Sequence, residues 1–296
     1  MKLKDFFEIA RPKQALFKNS IILIALLFSI EKFPVSLLPE NLLFIILGGL
    51  ALGLASSASY IINDIFDYEK DKNHPEKRKR PIPSGRLQRK PALIFALALL
   101  LVSLAIAIVI SAYSSWIFFI MVCLLFIFSL AYTFYFRNII LLDIIIISIN
   151  FSIRAISGVF IIKGGEMSYW ILLCTFFLSL FMTGSKRLAE TELDGIKCYR
   201  KGYCDINRNF LIVVIAMSIS MVFTFFSIYS ILNSKPLLLL SAPIALYIAL
   251  SYFGCIYKNP QQIRNPEEFV FKRKTLIGIL LWVVVVIFAL YFSIPK

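Results

Sequence analysis

The sequence predicts an all-α integral membrane protein of about nine transmembrane helices, and three observations carry that prediction. The first is composition. Of 296 residues, 59% are hydrophobic and 16% charged, with a mean hydropathy of +0.83, whereas soluble domains carry about 25% charged residues. The second is length: apolar runs of the roughly 20 residues needed to cross a bilayer recur along the chain. The third is where the charge sits, gathered into a few connecting segments. The 28 phenylalanines suit helices whose outer faces meet lipid.

Taken in order, the first span covers about residues 15–31 and is the weakest, because Lys18 and Asn19 lie inside its start. Spans at about 42–62, 91–112 and 116–135 follow. The fifth, about 139–162, holds two ionisable groups, Asp143 and Arg154. Spans at about 168–185, 210–232, 236–257 and 275–294 complete the set. No low-complexity linker or soluble module interrupts them, so one domain over residues 1–296 is expected. The apolar run 20–30 lacks a small-x-small cleavage site, so no signal peptide is expected. Five cysteines without a CxxC pair indicate neither a disulfide framework nor a zinc site.

A net charge of +14 raises the question of nucleic acid. Its distribution answers that question. With the N-terminus in the cytoplasm, 26 lysines and arginines fall on the cytoplasmic side and 4 on the other, with Arg154 inside the membrane. That is the positive-inside pattern, and it places the N-terminus and the three long charged loops in the cytoplasm of a cytoplasmic membrane. No nucleic-acid partner is expected. Two of those loops, 63–90 and 186–209, follow the second and sixth spans, whose last turns carry acids. Equivalent charged ends four helices apart suggest a parallel internal duplication around a shared cavity.

The second span runs into "NDIFDYEKDKNHPEKRKRPIPSG". At 100° per residue, Asp64, Asp67 and Asp71 fall within an arc of about 60°. Three carboxylates on one helix face repel unless something positive lies among them, and Mg²⁺ bridged to phosphate oxygens is the usual occupant. Acids at a helix C-terminus also oppose the helix dipole, which argues against mere solvation. Asn63, at the edge of the arc, can add an amide ligand or orient a carboxylate. The segment that follows supplies His74, Lys77 and Arg80 between prolines. A metal triad beside a stiffened basic loop suits a diphosphate leaving group, with Lys77 and Arg80 on its terminal oxygens. His74, the single histidine, fits a structural or substrate-contacting role better than that of a general base.

A second candidate site is "GSKRLAETELDG", where Lys186, Glu190 and Asp194 share about 80° of a helical face and Arg187 adjoins them. Glu190 and Asp194 are candidates for a second metal. Arg200 and Tyr203 follow in "CYRKGY". Arg154 needs an anion or a cavity if it lies inside the membrane, and Asp143 on the same helix is a possible partner. Arg11, Gln14 and Lys18 share one face near the interface, either as snorkelling anchors or as contacts to a lipid phosphate.

These motifs resemble the UbiA superfamily of intramembrane prenyltransferases. NDxxDxxxD after the second helix and "RPIPSG" downstream carry the likeness to the superfamily. "HPEKRKRP", "FMTGSKRLAE" with "YRKGY", "RPKQALFKN", "LLDIIIISINFSIRAISG" and "NPEEFVFKRK" look most like its decaprenyl-phosphate phosphoribosyltransferase branch. The resemblance implies about nine helices around a central cavity open to the cytoplasm. It makes Asp64, Asp67 and Asp71 the catalytic, Mg²⁺-binding residues, with Asn63 beside them. It also implies donor-binding roles for Lys77, Arg80, Lys186, Arg187 and Glu190. The reaction implied moves 5-phosphoribosyl from a soluble diphosphate donor to a polyprenyl phosphate, which enters from the lipid. The alternative keeps fold and metal but moves a polyprenyl group from its diphosphate to an aromatic or quinone-precursor acceptor. A transporter would also place charges within its helices, but at mid-depth rather than at one face.

Overall fold

The computed structural model describes residues 3–29, 37–73, 77–162, 168–192, 208–264 and 266–292. It is helical throughout, with no strand among the described residues. The helices are α1 Leu3–Ala10, α2 Pro12–Asn19, α3 Leu23–Ser29, α4 Leu38–Phe66, α5 Tyr68–Lys72, α6 Arg89–Tyr113, α7 Trp116–Phe134, α8 Ile140–Ser157, α9 Tyr169–Glu192, α10 Arg208–Leu232, α11 Ala242–Lys258, α12 Pro260–Arg264, α13 Pro266–Val270 and α14 Arg273–Tyr291.

Seven described segments are long and apolar enough to cross a membrane: α4, α6, α7, α9, α10, α14, and α11 with the 3₁₀ turn that leads into it. Each falls on one of the predicted spans. The count of nine is not reproduced. The first predicted span is broken into α2, a 3₁₀ turn at Ser20–Ile22 and α3, with residues 30–36 outside the described set. The fifth becomes α8, which carries Asp143 and Arg154 along its 18 residues.

The chain packs as two compact units. One holds residues 1–137 and 153–167, the other 138–152 and 168–296, so α8 changes unit along its length. In the first unit α4 is the central element. Of its apolar window 56% is buried, against 22% for α6 and for α7. Its sequence explains this. Gly48, Ala51, Gly53, Ala55, Ser56, Ser57, Ala58 and Ser59 are small and buried, which lets neighbouring helices approach closely. Ser103 Oγ on α6 donates to the Ala51 carbonyl at 2.7 Å, a bond that gains value where no water competes. The outer faces of α6 and α7 expose Ile94, Leu101, Val109, Ile120 and Ile127, as lipid-facing helices must. In the second unit α9 packs along α10, where Gly184 leaves room for Ile215. The core there runs through Phe181, Leu188, Leu211, Tyr252, Ile256 and Phe269.

Gly158, just past α8, is held by close approach. A Cβ there would lie 2.6 Å from Ala25 Cβ and 2.7 Å from the Ile22 carbonyl oxygen. Backbone cannot yield as a side chain can. Gly158→Ala is therefore expected to destabilise by about 1–3 kcal/mol, seen as a lower melting temperature in detergent. Gly184→Ala, which meets only the side chain of Ile215 at 3.1 Å, is expected to cost less. Equal melting temperatures for the two variants would contradict this packing account.

Candidate active site at the end of α4

α4 ends by turning rather than stopping. Asp67 caps it with φ −82° and ψ 1°, and α5 resumes at once. The Asp67 amide donates to the Asn63 carbonyl at 2.9 Å and the Asp71 amide to the Asp67 carbonyl at 2.8 Å. All three aspartates are buried, at 1–4% exposure. Burying a carboxylate costs several kcal/mol unless an opposite charge and hydrogen bonds compensate it, and here each one is compensated by arginine. Arg11 Nη2 donates to both oxygens of Asp64, at 2.5 and 2.6 Å. Arg137 grips both oxygens of Asp67, one bond of it at 2.6 Å, and Nη1 also reaches Asn63 Oδ1 at 3.2 Å. Arg80 Nη1 stands between Asp64 Oδ1 at 3.0 Å and Asp71 Oδ2 at 3.1 Å. Lys77 Nζ lies 3.5 Å from Asp71 Oδ1.

The predicted triad thus sits in a basic cage. Lys77 and Arg80, expected on diphosphate oxygens, here pair with Asp71 and with Asp64 and Asp71, and Asn63 shares Arg137 with Asp67. The crowding of charge is felt at Arg80. Burial first, then the charge of Arg11, pull its proton affinity below the ordinary arginine range against the carboxylates. At Arg137 burial acts the same way, but its hydrogen bonds to Asp67 together with the charge of that carboxylate, and lesser help from Tyr132 and Asp71, outweigh it, and the proton is held more tightly than usual.

The carboxylates fit a hard cation in part. Asp64 and Asp71 aim oxygens at one point, and a guanidinium nitrogen occupies it as a cationic stand-in. Asp67 turns to Arg137 instead. Among the described residues no three Asp, Glu, His or Cys side chains are arranged to share one metal ion.

One turn back along α4 lies a second polar layer. Lys18 Nζ donates to Tyr60 Oη at 3.1 Å, with Arg11 and Lys18 both over the Tyr60 ring. Arg154 is buried; its Nε donates to Asn19 Oδ1 at 3.0 Å and its Nη2 reaches Ser56 Oγ at 3.4 Å. The expected Asp143–Arg154 pair does not form. Eleven residues of helix separate them by about 16 Å, and Asp143 binds another arginine.

That arginine is Arg187, in the second unit. Its Nε donates to Asp143 Oδ2 at 2.6 Å, Nη2 to Asp143 Oδ1 at 3.1 Å and Nη1 to Glu190 Oε2 at 2.8 Å. Arg187 and Asp143 are almost fully buried. Lys186 and Glu190 adjoin this lock on α9. His74, Asp194, Arg200 and Tyr203 lie outside the described residues.

Sequence reasoning missed the partners. Arg11 reads as an interface anchor, Arg137 as one unit of the charge bias, and Tyr60, Asn19 and Ser56 as span interior. The signal available for Arg137 was its place: one cation straight after an apolar helix.

Residues 20–273 match the UbiA prenyltransferase family. The chain is 36% identical over 148 residues to decaprenyl-phosphate phosphoribosyltransferase of Corynebacterium glutamicum, covering 47% of this chain and 41% of that one. It is 32% identical over 254 residues to the enzyme of the same name from Mycolicibacterium smegmatis, covering 81% and 78%. The match thus spans under half of the first relative's length and over three quarters of the second's. Among solved structures, a UbiA homologue from Archaeoglobus fulgidus bound to DMAPP and Mg²⁺ has the same fold, with a TM-score of 0.62 at 18% identity over 97% of this chain and 99% of that one. The membrane-length helices, the caged aspartates and a family match over most of the chain make this protein an intramembrane transferase that belongs to the UbiA prenyltransferase family.

Proposed function

We propose that the protein transfers 5-phosphoribosyl from phosphoribosyl diphosphate to a polyprenyl phosphate and releases diphosphate. The observation that carries this reading is the cage at the end of α4, where Arg11, Lys77, Arg80 and Arg137 surround three carboxylates. Four cations against three acids leave a positive balance that suits a diphosphate. The choice of donor rests on the M. smegmatis relative, which spans most of the chain.

The cations differ in how readily they can turn to a substrate. The Lys77 and Arg80 side chains are 35% and 31% exposed, those of Arg11 and Arg137 21% and 12%. Lys77 and Arg80 therefore swing from Asp71 and Asp64 onto the terminal diphosphate oxygens. Arg11 and Arg137 stay to hold Asp64 and Asp67 in place. Bound Mg²⁺, held by Asp64 and Asp71 with Asp67 as a third proposed ligand, would neutralise diphosphate oxygens as their bond to the sugar weakens. The bond between sugar C1 and the diphosphate oxygen breaks, and its electron pair leaves with diphosphate. A phosphate oxygen of the acceptor then bonds to C1. That oxygen is already ionised, so no general base is required. Lys18 and Arg154, with Tyr60, Asn19 and Ser56 about them, are proposed to hold the acceptor phosphate. In the second unit Lys186 and Glu190 are proposed substrate contacts, while Arg187, saturated by Asp143 and Glu190, positions them. The charge pattern further supports a cytoplasmic N-terminus with the loop 63–90 on the same side.

A second reading, transfer of a prenyl group from its diphosphate, is favoured by the A. fulgidus homologue that binds DMAPP. A donor competition in detergent separates the two. With Mg²⁺, labelled phosphoribosyl diphosphate and polyprenyl phosphate are expected to give a labelled lipid, with no consumption of added prenyl diphosphate. Chelation of divalent metal is expected to abolish transfer, and Asp64→Asn to lower it about 100-fold or more. Consumption of the prenyl diphosphate instead would establish the second reading. Full activity without metal would sink both.

The cage also makes a stability prediction. Arg137→Gln leaves Asp67 buried without its partner and is expected to cost about 3–5 kcal/mol. Adding Asp67→Asn removes the stranded charge, so the double variant is expected to melt higher than Arg137→Gln alone. A double variant that melts lower would show that the pair does not compensate Asp67.

A further inference from the structure

The second unit contains another place with the chemistry of a binding site. α11 and α14 leave beside them a cavity of about 560 Å³, within the size range of small-molecule sites. Its lining changes character along α11. Tyr247, Leu250 and Gly254 form an apolar stretch, and Lys258, Lys272 and Lys274 stand at the helix ends. From Tyr247 to Lys258 the helix rises about 16 Å, so the groove runs lengthwise from charge into the hydrocarbon depth. A Cβ added to Gly254 would meet nothing within 4 Å, so the middle of the groove is open space rather than a packed helix contact. Lys272 donates to the Gln262 amide oxygen, which also accepts from Cys255 Sγ at 3.3 Å and fixes that lysine at the rim. Among the described residues none of the three lysines is paired with a carboxylate.

We propose that this groove binds a membrane phospholipid with an anionic headgroup, its phosphate among Lys258, Lys272 and Lys274 and one acyl chain laid along Leu250 and Gly254. The order of the lining, cationic rim and then apolar trough, is the order of such a lipid from phosphate to chain. Three cations with no carboxylate partner among the described residues favour a net negative headgroup over a zwitterionic one. On α14 the apolar Ile277 and Leu280 are exposed as well, as suits a helix facing lipid. Lysines serving membrane topology alone would need no open trough behind them.

Native mass spectrometry of the full chain in detergent tests this, with phosphatidylglycerol and phosphatidylcholine as probes. Wild type is expected to retain phosphatidylglycerol at least tenfold more tightly than phosphatidylcholine. Each lysine near a charged headgroup contributes roughly fivefold. The triple variant Lys258→Gln, Lys272→Gln and Lys274→Gln is therefore expected to lose about 100-fold for phosphatidylglycerol, with phosphatidylcholine unchanged. Gly254→Leu fills the open space and is expected to weaken both lipids. All four positions are solvent- or groove-facing, and a melting temperature within a few degrees of wild type confirms that a variant is folded. Equal retention of the two lipids, or a triple variant that binds as wild type does, would overturn the proposal. So would displacement of phosphatidylglycerol by an equal concentration of polyprenyl phosphate or of inorganic phosphate, since the site would then take a different ligand.

Discussion

The first unit is organised by the need to neutralise three buried carboxylates at the end of one helix. Asp64, Asp67 and Asp71 are held within two turns of chain, where the low dielectric makes an uncompensated charge cost several kcal/mol. The compensating arginines come from three separate places: Arg11 ahead of α2, Arg80 between α5 and α6, and Arg137 after α7. Satisfying the aspartates therefore fixes the N-terminal arm, the charged loop and the end of α7 against α4 at once. Arg86 continues the pattern. It pairs with Asp5 and Glu8 of α1 and donates to the Lys79 carbonyl, tying the arm to the loop that carries Lys77 and Arg80.

Arg11 shows how strong the demand is. Its backbone has φ 48° and ψ 53°, a left-handed conformation that costs a non-glycine residue about 1–2 kcal/mol. Pro12 follows it and disfavours the right-handed helical alternative. The outcome is a sharp break between α1 and α2 that aims the guanidinium at both oxygens of Asp64. A charge-assisted contact of this kind is among the stronger hydrogen bonds a protein makes, and it offsets the strain. The break falls ahead of the first predicted span and ties the N-terminal arm to the end of α4.

Much of this was legible in the sequence. Seven spans follow from apolar runs alone, because a bilayer imposes the same length on every crossing. The acidic face of the second span was legible from helical spacing. That only two of its three acids aim at one point was not. The spacing argument assumes one unbroken helix, whereas the chain turns at Asp67 and its side chain faces Arg137. The partners were invisible for another reason. Arg11 lies 53 residues from Asp64, and Arg137 lies 70 from Asp67; no local period connects them. The proposed Asp143–Arg154 pair failed because residues on one helix eleven positions apart are held apart by the helix itself. Each instead found its counterpart on another element, Asn19 for Arg154 and Arg187 for Asp143.

The two units handle buried charge in opposite ways, which bears on what each can do. At the end of α4 the long helix and its cap carry the acids and three separate segments bring the cations, two of which remain about a third exposed. The Lys77 and Arg80 ends of these contacts reach water, while the aspartate ends are buried. On α9 the long helix carries the cation, and Asp143 and Glu190 occupy three of its nitrogens within the buried interior. Removing one of those bonds would strand a charge where water cannot reach it. Arg187 thus fits a role in holding its neighbours Lys186 and Glu190 better than a direct grip on phosphate.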